Sequence, residues 1–293
     1  MLIDNKVKVL VLGVSGMLGS SIMRFLSESP GLIVFGSIRS AEVLNSFNSD
    51  LRKNIIMGVD VESDSSLRGF LSDISPDVVI NCIGLIKQLS SGNDPLSAIS
   101  INSLLPHRLA KICAENQIRV IQMGTDCVFS GRLGLYKESD IPDAIDLYGR
   151  TKYLGELNYP NTITLRTSII GHELAGSHSL IGWFLSQQNS VYGFKKMIFS
   201  GLPTVEMARI IRDFVIPFPQ LSGLYHVSAN PISKYDLLHL VASEYEKNIS
   251  ILPDDKIIIN RSLDSSRFQK ATGYRPPEWN SLIKLMHKFQ TES

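Results

Sequence analysis

Three features of the 293-residue sequence predict an α/β protein built on a doubly wound parallel sheet, followed by a smaller mixed α/β C-terminal domain. Apolar, β-branched runs alternate with stretches of helical periodicity through roughly the first 170 residues, the pattern of a parallel sheet covered on both faces. The first of these runs ends in glycine and opens directly into a helix. Past Gly171 the alternation loses its regularity.

The elements follow in order. Residues 6–13 (KVKVLVLG) read as a strand, and in 17–26 Leu18, Ile22, Phe25 and Leu26 recur at helical spacing. Strands are expected at 32–37, 54–57, 77–81, 119–123 and 161–166, with helices at 65–71, 98–115 and from Tyr148 to about Leu157. Gly92-Asn93-Asp94-Pro95 marks a loop before the long helix, and 131–142, with two glycines and a proline, marks another after the fifth strand. Beyond these come a helix near 180–187, a loop or hairpin at 189–200, a helix from Val205, a strand at 224–227, a helix at 234–246 and two short C-terminal helices. The expected division is a dinucleotide-binding domain of the Rossmann type over 1–170, to which the chain returns around 203–230, and a mainly substrate-binding domain over 171–293.

Composition narrows the function. With 44% hydrophobic residues the chain buries ample core, and 29 Lys plus Arg against 28 Asp plus Glu argue against nucleic acid as a partner. Apolar runs fall far short of the roughly 20 residues of a membrane span. The start of the sequence lacks the pattern of a secretory leader, and Cys82, Cys113 and Cys127 form no CxxC, so a reducing, cytoplasmic setting is expected. The six histidines show no metal-ligand spacing, so no metal site is expected.

Gly13-Val14-Ser15-Gly16-Met17-Leu18-Gly19 has glycine spacing suited to a pyrophosphate: the turn is tight, the backbone approaches closely, and a helix N-terminus offers free N–H groups. The second strand ends Ser37-Ile38-Arg39-Ser40 with no acid nearby. Arg39 with the hydroxyls of Ser37 and Ser40 suits a 2′-phosphate, which favours NADP over NAD. Asp60, followed by Val61 after the third strand, suits either the adenine amine or a helix N-terminus.

Tyr148 and Lys152 stand four residues apart at the start of a helix and so share a face. A neighbouring ammonium pulls a phenol's pKa towards the working range, letting Tyr148 act as a proton donor, and Lys152 can also bind a cofactor ribose. Thr125, just past the fifth strand, places a hydroxyl at the mouth of the sheet.

The glycine turn, Gly124-Thr125-Asp126-Cys127-Val128-Phe129-Ser130-Gly131, Tyr136-Lys137-Glu138, Tyr148-Gly149-Arg150-Thr151-Lys152, Leu165-Arg166-Thr167-Ser168, Pro203-Thr204 and the segment 261–266 (RSLDSS) together resemble extended short-chain dehydrogenase/reductases of the dTDP-4-dehydrorhamnose reductase branch. The resemblance covers most of the chain. It implies a catalytic triad of Thr125, Tyr148 and Lys152, supported by Asn102. It also implies a cofactor-lining turn from Asn81 through Cys82, Ile83 and Gly84, and nicotinamide contacts from Ser168 and Ile169. Two departures bear on the substrate. Cys127 and Ser130 replace a tyrosine and an aspartate, and 81–88 reads NCIGLIKQ, where Lys87 and Gln88 supply donors for an acetamido group or a phosphate. Lys87, Asp126, Cys127 and, from the C-terminal region, Arg261 are the expected substrate contacts beside Thr125 and Tyr148. Trp183, Trp279 and Arg267 are weaker candidates.

The resemblance implies an NADPH-dependent reductase of a nucleotide-linked 4-keto-6-deoxyhexose, on UDP or dTDP, in the synthesis of cell-surface polysaccharide precursors such as O-antigen, with room for a homodimer. The alternatives are an NAD-dependent epimerase, which Arg39 disfavours, and a non-catalytic NADP-binding regulatory subunit. The Asp-Cys pair after Thr125, where dehydratases carry Asp-Glu, argues against dehydration.

Overall fold

The structure, a computed structural model, describes residues 6–86 and 90–292. Seven parallel strands form the main sheet. Six are Val7–Leu12, Leu32–Ile38, Ile55–Met57, Val78–Asn81, Arg119–Met123 and Thr162–Arg166, and the seventh, Gly223–His226, joins the outer side of Thr162–Arg166. Counted along the chain, their spatial order is 3-2-1-4-5-6-7, so the direction of winding reverses between the first and fourth strands. Ligands of such sheets bind at that reversal, outside the carboxyl ends of the strands.

Alternation along each strand explains why both faces are covered. In the first strand Val9 and Val11 enter one core while Leu10 and Leu12 enter the other; Ile121 and Val120 divide in the same way in the fifth. The first core is closed by the helices Met17–Ser27, Thr204–Ile210 and Trp279–Thr291, and the second by Asp64–Ile74 and Leu105–Glu115. Helix Thr204–Ile210 is tied to Met17–Ser27 by a buried hydrogen bond from Ser21 Oγ to Thr204 Oγ1 of 2.8 Å.

The segment expected to be one helix over 98–115 has three parts. An α-helical turn, Pro95–Ala98, leads into a π-helical stretch, Ile99–Leu104, and then into the helix Leu105–Glu115. Pro106 is the cause. It has no N–H to give to the carbonyl of Asn102 four residues back, and the ring crowds that carbonyl, so the helix widens. The freed Asn102 carbonyl faces Gly155, where a Cβ would lie 1.9 Å from the oxygen.

Of the loop or hairpin expected over 189–200, the hairpin does not form. Strands Ser190–Phe194 and Met197–Phe199 do occur there, but they pair elsewhere: the first runs parallel to Ser250–Asp254, and the second lies between Ile232–Ser233 and Ile259–Asn260. The tight two-residue hairpin turns require a positive φ, which neither Lys195 nor Lys196 adopts, so the two strands splay into different sheets.

Gly155→Ala forces a methyl group into the Asn102 carbonyl and is expected to cost about 1–3 kcal/mol of stability, the range for overpacking. Urea denaturation measures it, and an unchanged midpoint would contradict the close approach described here.

Candidate functional site

The carboxyl ends of the first, fourth, fifth and sixth strands deliver the expected residues to one edge of the sheet. Gly13 follows the first strand at φ +81°, a conformation disfavoured for residues with a Cβ. Gly16 caps the following helix in an extended conformation, without a side-chain cap and with no acid in the first turn. Its absent Cβ leaves open space, the nearest atom to that position being the Gly13 carbonyl at 3.5 Å. Ser15 and Gly16 are exposed and Met17 is half-buried, whereas the Leu18 side chain is in the core, so Leu18 offers the site its backbone only.

The turn after the fourth strand lies against this one. Ile83 Cγ1 is 2.9 Å from where a Gly13 Cβ would be, and Cys82 N donates to Leu12 O. Asn81 is fully buried, donating to Gln122 Oε1 at 2.8 Å and accepting from Ile83 N at 3.1 Å. Asn102, raised by the π-helical stretch, holds the turn from the other side: its Oδ1 accepts from Leu85 N at 2.9 Å and its Nδ2 donates to Leu85 O at 3.0 Å and to Thr151 Oγ1 at 3.2 Å. Lys87 and Gln88 lie outside the described residues.

At the end of the second strand Arg39 is exposed and makes no ion pair among the described residues. Its two expected helpers each accept a local hydrogen bond. Ser37 is buried, with its Oγ facing Gly13 N at 3.4 Å, and Ser40 caps the short helical turn Ala41–Ser46 by accepting from Glu42 N. Asp60 is not the helix cap; Ser63 is, and the Asp60 carboxylate accepts from Glu62 N in its own exposed turn, while half-buried Val61 packs against the second core.

Thr125 begins a short helical turn, Asp126–Val128, and accepts from Cys127 N at 3.1 Å. The turn is tied to the sixth strand and its continuation, with Gly124 N donating to Leu165 O and Asp126 N to Thr167 O. Ser168 and Ile169 follow directly, Ile169 pairing with Leu202 in a short parallel bridge. The helix Leu147–Leu154 presses its start onto this turn, since a Cβ on Gly149 would lie 2.4 Å from Cys127 O.

That contact brings the Tyr148 phenol beside the Thr125 hydroxyl, close enough for Thr125 to act on its pKa. Burial raises the phenol's pKa above its ordinary value, the Cys127 sulfur and the carboxylates of Asp126 and Asp146 add to the rise, and only Thr125 opposes it. The expectation that Lys152 lowers this pKa is therefore corrected. Lys152 is itself buried, donates to Met123 O at 2.8 Å, and has its pKa pulled down by burial to about 8. The ammonium faces the turn after the fourth strand, 3.7 Å from a Gly84 Cβ position, and is not among the groups that set the phenol's shift. The phenol thus keeps its proton at neutral pH.

Asp126 is buried, which raises its carboxyl pKa, and the cations Arg261 and Lys234 oppose that rise. Arg261 reaches the turn from the C-terminal region, donating from Nε to Phe129 O at 2.8 Å and approaching Cys127 Sγ at 3.8 Å. Trp279 instead packs in the core with its Nε1 on Asn230 O, and Arg267 lies over the Tyr225 ring. Trp183 is part of the helix Leu180–Ser186 and is partly exposed. Lys234 was missed: at the start of a helix, far along the sequence, it carries no motif.

A buried network braces the wall of the site. Arg166 forms a two-pronged ion pair with Glu156 at 2.5 and 2.7 Å and donates to His226 Nε2 at 3.1 Å. His226 must therefore carry its proton on Nδ1, which donates to Tyr136 O at 2.9 Å. Tyr136 stacks on Phe129 at 4.0 Å and the Arg166 guanidinium lies 5.1 Å from the centre of the Phe129 ring, so the loop after the fifth strand is fixed to the end of the sixth.

The sheet order, the glycine turn and the Tyr148–Lys152 helix define a protein of the extended short-chain dehydrogenase/reductase class. Its sequence matches the RmlD substrate binding domain family over residues 7–290, and the chain belongs to that family. It is accordingly an NAD(P)-dependent oxidoreductase. It is 24% identical over 307 residues to the dTDP-4-dehydrorhamnose reductase of Aggregatibacter actinomycetemcomitans, covering 96% of this chain and 99% of that one. It is 32% identical over 179 residues to the probable low-salt glycan biosynthesis reductase Agl14 of Haloferax volcanii, covering 59% of this chain and little more than half, 57%, of that protein's length. The fold matches that of a dTDP-4-dehydrorhamnose reductase from Bacillus anthracis, solved in complex with NADP, with a TM-score of 0.77 at 18% identity over 98% of this chain and 100% of the other.

Burial, and after it the Arg166 guanidinium, hold the His226 pKa at about 4, against about 6.5 for a free imidazole. Between those values the unfolded chain takes up a proton that the folded chain refuses, so this contribution to stability is complete above about pH 6.5 and is lost as the pH falls towards 4. NMR titration is expected to find the His226 ring neutral at pH 5, with a lower thermal midpoint there than at pH 7. A ring that titrates near pH 6.5 would refute the buried arrangement.

Proposed function

We propose that the protein is an NADPH-dependent reductase of the C4 ketone of a nucleotide-linked 4-keto-6-deoxyhexose, carried on UDP or dTDP, that works in the cytoplasm on precursors of cell-surface polysaccharide. The observation that carries this reading is the Tyr148 phenol, kept protonated by burial and set beside Thr125 at the mouth of the sheet. Reduction of a ketone needs a proton donor there, and the reductase relatives support the substrate class.

The edge of the sheet fits a dinucleotide. The open space over Gly16 and the uncapped first turn of its helix suit a pyrophosphate, with Gly13, Ser15, Gly16, Met17 and Leu18 offering backbone N–H groups. Arg39, exposed and without an ion pair among the described residues, would hold the 2′-phosphate, with Ser37 shaping the turn and Ser40 the loop. Asp60 and Val61 would border the adenine, Cys82, Ile83 and Gly84 the middle of the dinucleotide, and Ser168 and Ile169 the nicotinamide. Bound NADPH supplies the hydride. Thr125 holds the ketone oxygen, and Tyr148 gives its proton to that oxygen as negative charge develops on it. Lys152, anchored on Met123 O, directs its remaining donors to a ribose hydroxyl. Asn102 keeps the strand-four turn and the Tyr148 helix in register. Asp126, Cys127 and Arg261 border the sugar.

NADPH oxidation with dTDP- and UDP-linked 4-keto-6-deoxyhexoses generated in situ tests the reading. Tyr148→Phe is expected to lower kcat by about 10²–10⁴-fold, the usual worth of a positioned acid, while leaving NADPH affinity within about twofold. Retained turnover would end the assignment of Tyr148, and silence of the wild type with every donor despite NADPH binding would favour a regulatory subunit. Arg39→Glu is expected to raise the KM for NADPH about tenfold or more and to spare NADH, since it removes a charge-assisted bond to a phosphate that NADH lacks. Equal effects on both cofactors would contradict that role.

A further inference from the structure

The small sheet of the C-terminal region brings two cations to the catalytic turn. Its central strand, Met197–Phe199, has Ser233 paired on one side of Ile198 and Asn260 on the other. Lys234 directly follows Ser233 and Arg261 directly follows Asn260, so the two cations straddle the same strand. Arg261 spends its donors on Phe129 O and the Cys127 sulfur and is in place as a fixed part of the wall. Lys234 does not. Its Nζ lies 4.2 Å from the centre of the Phe199 ring, and among the described residues it has neither a hydrogen-bond acceptor nor a salt-bridge partner.

An ammonium has three donors, and leaving them unspent in a partly buried position is costly. Lys234 is half-buried, and it also stands at the first residue of the helix Lys234–Glu244, where the helix dipole disfavours a cation. Packing does not explain the choice, because a methionine would cover Phe199 without either cost. The groups that act on it electrostatically are the Asp126 carboxyl and the Cys127 thiol, on the two residues after Thr125. Thr125 lies beside the Tyr148 phenol, and the phenol must reach the oxygen at C4 of the sugar. A donor beside Asp126 and Cys127 therefore faces the hexose ring rather than the diphosphate.

Resting on the reductase reading, we propose that Lys234 is a substrate-positioning residue that donates a hydrogen bond to an oxygen substituent of the hexose at C2 or C3, fixing the ring so that C4 meets Tyr148. Phe199 holds the stem of the ammonium in place, and Asp126 keeps it charged in the cleft. Burial pulls the Lys234 pKa down to about 8, with Asp126 opposing, so the contact is complete below that pH and fades above it.

The test compares binding of UDP with UDP-N-acetylglucosamine, and of dTDP with dTDP-glucose, to the NADP-loaded full chain by calorimetry. Lys234→Met is expected to weaken the sugar nucleotides about tenfold and to leave the free diphosphates within twofold. Lys234→Arg is expected to restore most of that loss. In the wild type the extra affinity contributed by the sugar falls between pH 7 and pH 9, and in Lys234→Arg it does not. Equal losses for sugar nucleotide and diphosphate, or no loss at all, would overturn the proposal. Turnover of the keto-sugars is followed in parallel: if the wild type binds the sugar through Lys234 but never oxidises NADPH, the reductase reading fails while the contact stands.

Discussion

The site depends on the clamp that Asn102 makes. Its side-chain amide pairs with both the N–H and the C=O of Leu85, as a neighbouring strand would, and reaches Thr151 in the helix that carries Tyr148 and Lys152. One buried side chain thus joins the turn after the fourth strand to the helix of the proton donor. It holds that position because Pro106 cannot donate to the Asn102 carbonyl and the helix widens locally, while Gly155 lets that carbonyl come within the space a methyl group would fill. Loss of one regular helical hydrogen bond is offset by several to the clamp.

The electrostatics follow from the same compactness. Burial draws Tyr148, Asp126, Lys152 and Lys234 towards their uncharged forms, but with pKa values of about 8 both lysines stay charged at neutral pH, as Arg261 does. A buried site of low dielectric strengthens each hydrogen bond made to a reacting oxygen. It also separates the roles of Tyr148 and Lys152: the phenol is a proton store held by its surroundings, and the lysine is a donor fixed on Met123 O.

The wall opposite is built from long-range contacts. Arg166, Glu156 and His226 tie the sixth and seventh strands together, and Tyr136 stacked on Phe129 carries that rigidity to the catalytic turn. The residues span from 129 to 226, so the seventh strand, although it comes late in the chain, is part of what holds the turn after the fifth.

The sequence by itself determined the parallel sheet, the glycine turn and the Tyr148–Lys152 pair, because each rests on local information: strand and helix periods, glycine spacing, and residues four apart on a helix. It also located Thr125 by its place just past the fifth strand, and Asn102 through the motifs of a family. The tertiary structure alone decided what burial does to each group. The direction of the Tyr148 shift, the capture of Lys152 by Met123 O and the approach of Ser37 Oγ to Gly13 N all depend on neighbours brought together by the fold. The pairing of Met197–Phe199 with strands some 34 and 62 residues further on, and with it the arrival of Lys234 and Arg261 at Asp126, has no local signature. Local patterns fix which elements form, whereas solvent exclusion and charge are properties of the packed whole.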